Sequence, residues 1–107
     1  MATLTNRELA ARLLPDVRNY LDITWPDPAL DEKLSGIVAR GIVYIDSLAG
    51  ASQDYQDETL ARGMLFDWCK YAMAGAASDF AKNYGAEVLM LRMQQEVASY
   101  VGDDTGV

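Results

Sequence analysis

Apolar residues recur every three or four positions along most of this chain, and no segment alternates apolar with polar residues between turn glycines. Spacing of this kind places side chains on one face of a helix, whereas a half-buried strand requires alternation. The clearest stripe comprises Leu30, Leu34, Ile37, Val38, Gly41, Ile45 and Leu48. We therefore predict an all-α protein, and a length of 107 residues suits one domain rather than two.

Two helix starts are marked by their capping residues. Thr5 and Glu8 have the spacing of a capping box, which predicts a helix beginning near Asn6. Pro15 lies in its apolar stripe and cannot donate a backbone hydrogen bond, so we expect two short helices or one bent helix. Asp27 is a favoured N-cap residue and Pro28 is favoured in a first turn, so we predict a second helix that begins here. Gly50 is a typical helix-terminating glycine, and we predict that this helix ends there.

Glycine and alanine inside helices indicate close packing. Gly36 and Gly41 each cost the second helix about 1 kcal/mol relative to alanine, so we expect another helix to approach both. The third and longest predicted helix follows Asp57 and reaches Phe80, with Trp68 on its core face and small residues near its end. The sequence at residues 83–85 (NYG) ends it.

The last segment is patterned differently. Residues 87–100 are predicted as a weaker helix whose apolar residues fall all round it, and residues 102–107 as a flexible polar tail. The expected fold is thus a small antiparallel bundle of three main helices plus a weaker C-terminal helix, with residues 1–107 forming one domain.

Composition argues against several classes of chemistry. Sixteen acidic and nine basic residues, without histidine, give a net charge of −7, which opposes binding to phosphate backbones and anionic lipid. Cys69 alone can form neither a disulfide nor a thiolate metal cage. Asp54, Asp57 and Glu58 lack the glycine and distal glutamate of an EF-hand loop. We expect no catalytic centre, metal or cofactor, and helix capping explains much of the acidity.

Membrane insertion and export are not expected. No apolar run approaches the roughly 20 residues that span a bilayer, and residues 1–14 lack an apolar signal core. One acid merits separate mention, because Asp67 lies beside Trp68; we expect it to pair with Lys70 or Arg62 outside the core.

An interface is the remaining candidate site. Trp25 lies in a connection bounded by prolines, where it either covers the small core or anchors a partner. The all-round apolar segment at residues 88–101 is poorly placed on a monomer, which indicates burial against another chain. The candidate interface residues are Trp25, Tyr84, Val88, Leu91, Met93 and Val97.

The order of these segments resembles a known family. Residues 14–25 (LPDVRNYLDITW) contain a YL-x-I motif. An acidic turn and a long predicted helix that ends at Gly50 follow this motif. Residues 64–71 (MLFDWCKY) are similar to an LL-x-D-Y-x-R-Y helix, and residues 80–84 (FAKNY) to F-x-x-N-Y. The chain resembles the phage head-tail connector, or adaptor, family over roughly residues 9–97, with Trp68 and Lys70 replacing the usual tyrosine and arginine.

The resemblance implies a structural virion protein without enzymatic activity. It implies a ring of about twelve copies beneath the portal protein, which extends the DNA channel and docks the next neck or tail protein. DNA would pass through without specific binding, and the protein would lie in the host cytoplasm during assembly and in the virion neck afterwards. Two alternatives remain open: a small acidic interaction module that inhibits or adapts a basic partner, and an enzyme subunit whose site another chain completes.

Overall fold

A computed structural model describes the backbone of residues 4–105 and the side chains of residues 4–98. This part of the chain forms five helices and no strand: α1 (Asn6–Tyr20), α2 (Pro28–Ala49), α3 (Leu60–Met73), α4 (Ala77–Asn83) and α5 (Gly85–Thr105). The all-α prediction is confirmed, while the expected three main helices and one weaker helix become five. No helix within the described residues has the length and apolar character needed to cross a membrane.

Helix α1 begins where the capping pattern places it. The Thr5 hydroxyl accepts a hydrogen bond from the Glu8 backbone N–H at 3.1 Å. The helix then continues through Pro15, so the prediction of two short helices is wrong. Pro15 is exposed, whereas Leu13 and Val17 are buried on either side of it. Their burial outweighs the single backbone hydrogen bond that proline cannot make.

Helix α2 is the centre of the fold, because α1, α3 and α5 all pack against it. The Asp27 carboxylate caps it by accepting from the Leu30 N–H at 3.1 Å. It ends as predicted at Gly50, whose φ of 85° is the left-handed conformation that favours glycine. The fully buried side chains of this helix include Leu34, Val38 and Ile45.

Only one of the two glycines expected at a close approach has that role. A Cβ atom at Gly41 would lie 2.6 Å from Leu65 Cδ1 and 2.8 Å from Trp68 Cε3, so the absent side chain lets α3 approach α2. At Gly36 nothing lies within 4 Å of such an atom, and the close packing predicted there is wrong. Gly36 is on the exposed part of the helix surface, and of the two glycines only Gly41 belongs to the apolar stripe of this helix.

The predicted third helix is two helices. It is capped by Thr59 rather than Asp57, and it ends at Met73 because Gly75 adopts a φ of 73°. The short α4 then turns back, which buries Phe80 completely and stacks its ring on Tyr84 at a centroid distance of 4.3 Å. A straight helix would carry Phe80 past the end of the core. The longest helix is accordingly α2, with 22 residues.

The predicted C-terminal helix is longer than expected. Helix α5 runs to Thr105 and so includes most of the segment at residues 102–107 that the sequence predicts to be a flexible tail. The last two positions of that segment, 106 and 107, lie outside the described residues.

Trp68 and Cys69 are both buried in α3, as their positions on its apolar stripe predict. Cys69 has no exposed surface, and burial raises the pKa of its thiol to about 12. The connection between α2 and α3 also contributes to the core through Tyr55. Its ring is buried and its hydroxyl donates to Asp46 Oδ1 at 2.6 Å.

The two glycines of α2 give a matched test of this packing. We expect Gly41→Ala to lower the free energy of unfolding by about 1–3 kcal/mol, because the new methyl group overlaps the Trp68 ring. Gly36→Ala should instead raise it by about 0.5–1 kcal/mol, since alanine favours the helix and has free space there. Chemical denaturation of both variants measures the difference, and equal effects would contradict the close approach at Gly41.

Candidate interaction surface

Helix α5 is held against the bundle by one of its faces. Leu91 is 2 % exposed, and the half-buried Val88 packs on the same core. Polar contacts lie along this side as well: Arg92 Nε donates to the Leu48 carbonyl oxygen at 2.7 Å, and Gln53 Nε2 donates to Gln95 Oε1 at 3.2 Å. The face therefore joins α5 to α2 and to the connection that follows α2.

The opposite face of α5 is also apolar, and nothing in the described chain covers it. Leu89, Met90, Met93 and Val97 are between 52 % and 63 % exposed, and Ala86 is exposed beside them. At 3.6 residues per turn these five residues form one continuous stripe on the side away from Leu91 and Val88. We call Ala86, Leu89, Met90, Met93 and Val97 the α5 stripe.

The predicted interface residues fall on both faces of this helix. Met93 and Val97 belong to the α5 stripe, whereas Leu91 lies in the monomer core and Val88 and Tyr84 are half-buried against it. Leu91 is therefore not accessible to a partner, contrary to its selection as an interface residue. Leu89 and Met90 were not among the predicted interface residues, because an all-round apolar pattern does not reveal which face packs on the bundle.

The edges of the α5 stripe carry acidic and amide side chains. Glu96 is exposed next to Val97, and Glu87 lies in the first turn beside Ala86. One carboxylate oxygen of Glu87, Oε2, is buried and accepts no hydrogen bond from the described residues. Gln94 is exposed two turns after Glu87. One carboxylate thus borders the apolar stripe on each edge, and that of Glu96 is the exposed one.

Trp25 forms part of a second surface. Its side chain is 51 % exposed, so it does not cover the core, and the first of the two roles considered for it is wrong. It borders a groove of about 430 Å³ whose lining includes Tyr20, Leu30, Lys70 and Met73. Arg18 fixes the connection by donating to the Trp25 carbonyl oxygen and pairing with Asp31. We call this the Trp25 groove.

Asp67 links three elements beside that groove. Its carboxylate accepts hydrogen bonds from the Tyr20 hydroxyl and, at 2.7 Å, from the Tyr84 hydroxyl. Hydrogen bonding to this charged carboxylate raises the pKa of Tyr20 to about 12 and also raises the pKa of Tyr84. The predicted pairing of Asp67 with Lys70 or Arg62 is wrong, because the fold directs two tyrosines to it.

Arg62 is buried and contacts residues other than Asp67. Its guanidinium donates to Asp16 Oδ2 and to the Tyr55 carbonyl oxygen, both at 2.9 Å, and lies 4.6 Å from the centre of the Phe66 ring. Asp16 and Tyr20 of α1 therefore contact Arg62 and Asp67 of α3 in the same order, so α1 and α3 run in the same direction. These polar groups are engaged with one another and hold helices together.

Metal ligation has no support among the described residues, which include no cluster of three His, Cys, Asp or Glu side chains placed to bind an ion. The Asp54 carboxylate, in the acidic segment that lacks the features of an EF-hand loop, accepts from the backbone N–H of Gln56 at 2.9 Å. Comparison of the chain with known proteins found no matching family model, no matching curated protein and no matching solved structure. The two exposed apolar surfaces are therefore the basis for a functional proposal.

The hydrogen bonds from Tyr20 and Tyr84 to Asp67 can be tested by titrating the two tyrosines. We expect Asp67→Asn to lower the pKa of Tyr20 and Tyr84 toward the ordinary value, because a neutral amide no longer disfavours tyrosinate. In the native protein the raised tyrosine pKa means that stability falls as the pH rises above about 10 and through about 12. The variant should lose less stability across that window.

Ultraviolet absorbance of tyrosinate and denaturation midpoints at several pH values measure the two effects. Asp79→Asn on α4 is a suitable control, because Asp79 is exposed and its carboxylate pairs with Lys82, at 3.9 Å, rather than with a tyrosine. Identical titration curves for Asp67→Asn and the unmodified chain would show that the tyrosine hydroxyls do not bind this carboxylate in solution.

Proposed function

We propose that this protein is a structural subunit of a phage or prophage neck, a head-to-tail connector that forms a ring of about twelve copies beneath the portal protein. In this role it extends the DNA channel and docks the next neck or tail protein. The observation that carries the proposal is the α5 stripe, an apolar surface opposite the face by which α5 packs on its own bundle.

A second surface adds support. A ring subunit that also docks on the portal needs one surface for its neighbouring copies and a separate surface for the other neck proteins. The α5 stripe and the Trp25 groove lie on different elements, α5 on one hand and the α1–α2 connection with α3 on the other. The arrangement of the helices, with α2 in the centre, leaves both surfaces on the outside.

The charge is compatible with a channel protein. A net charge of −7 repels phosphate, and a conduit for DNA must not retain the molecule that passes through it. The acids that bracket the connections also have local roles, such as the capping of α2 by Asp27.

The acidic interaction module is a second candidate, favoured by Glu87 and Glu96 at the edges of the α5 stripe. Such a module would bind one basic partner tightly, with an affinity that falls steeply as salt increases. It would form no ring. The two functions therefore differ in assembly state and in the identity of the partner.

Electron microscopy of the full chain, co-expressed with the portal protein encoded nearest to it, tests the connector proposal. We expect rings on the portal with the same axis of symmetry. A chain that neither forms rings nor co-sediments with the portal would contradict the proposal. As a matched variant, removal of residues 96–107 should weaken co-sedimentation, because Val97 is lost from the α5 stripe and Glu96 from its edge.

The same truncation should leave the melting temperature nearly unchanged, since Leu91 and the Gln53–Gln95 hydrogen bond are retained. Its circular dichroism should decrease only by the share of helix removed. A large loss of thermal stability would place residues 96–107 in the monomer core and invalidate the comparison of assembly.

A further prediction concerns DNA. We expect the isolated protein to show no measurable binding to duplex or single-stranded DNA near physiological salt, because its excess carboxylates repel phosphate. Gel-shift titration up to micromolar protein measures this. Binding that weakens with added salt would contradict a role as a passive conduit.

A further inference from the structure

We propose that the α5 stripe receives a basic amphipathic helix of another protein, one with an apolar face bordered by lysine or arginine. This inference rests on the proposed function, because it specifies the chemistry of the partner that the same surface binds. A second copy of this chain is the alternative occupant, and the charges on α5 disfavour it.

The apolar geometry suits a helix. Ala86, Met90, Met93 and Val97 are separated by four, three and four positions, which is the spacing of the core positions of a coiled coil. They span about 17 Å of helix, or three turns. Leu89 widens the stripe on one side. A partner helix of about three turns can therefore lie along α5 and bury its own apolar face there.

The charged residues at the edges of the α5 stripe determine which charge a partner helix must carry. In that register Glu87 and Gln94 occupy one flank of the core positions, and Leu89 and Glu96 occupy the other. These flanking positions select coiled-coil partners through ion pairs. A second α5 would bring glutamate against glutamate, glutamine or leucine, and it belongs to a chain of net charge −7. Lysine or arginine on a partner pairs with the exposed carboxylate of Glu96.

Synthetic helices test this surface directly on the full chain. One peptide has leucine at its core positions and lysine at the flanking positions, and a second peptide of equal length has glutamate there. By fluorescence anisotropy we expect the lysine peptide to bind at least tenfold more tightly than the glutamate peptide, and added salt to weaken it. Equal binding of the two peptides would overturn the inference.

Matched variants separate this site from general attraction between a basic peptide and an acidic protein. Met93→Lys should weaken binding of the lysine peptide at least tenfold. Val43→Lys adds the same charge at a residue of α2 that is equally exposed, 56 % in both cases, and should have little effect. Likewise Glu96→Gln should weaken binding more than Glu32→Gln, which removes an exposed acid from α2. Equal losses within either pair would overturn the inference.

Sedimentation of the same variants tests the alternative occupant. If the chain self-associates and Met93→Lys abolishes that association, a second copy occupies the stripe and the inference is wrong, although a ring is then supported. If the portal protein co-sediments but the lysine peptide does not bind, the inference fails and the connector proposal stands. Binding of the peptide without association with the portal supports the inference and contradicts the connector proposal.

Discussion

The close approach of α2 and α3 at Gly41 is the contact on which the other helices depend. Because Gly41 has no side chain, Leu65 and the Trp68 ring lie directly on the α2 backbone. Helix α2 then has its remaining surface available for α1 on one side and α5 on the other. The position of α5 in turn exposes one of its two apolar faces. The proposed interaction surface is thus an indirect product of one glycine.

Local signals in the sequence were sufficient for the helix class and for three helix ends, the start of α1 and both ends of α2. Thr5, Asp27 and Gly50 act through their immediate neighbours, and all three have the predicted roles. The break at Gly75 could not be predicted with equal force, since a glycine in a run of alanines permits either continuation or a turn. What decides it is the burial of Phe80, a tertiary effect that the local sequence does not contain.

The candidate surface was only partly predictable, for a related reason. A helix that is apolar on two faces shows that two surfaces must be covered, but helical periodicity does not assign either face to the bundle. Leu91 and Met93 look equivalent in the sequence, yet one is buried and the other is exposed. Arg62 was one of two partners expected for Asp67, five positions along the same helix, but helix α1 provides each with a different partner.

The reactivity of Cys69 can be used to measure how often the folded protein opens. Its thiol is the only one in the chain, it is fully buried, and burial keeps its pKa near 12, so almost no reactive thiolate is present at neutral pH. Modification by a thiol reagent therefore requires the core around Cys69 to open. The labelling rate follows the population of opened molecules. Addition of a partner should slow that rate to the extent that binding stabilises the folded state, so the untagged protein can report its own binding.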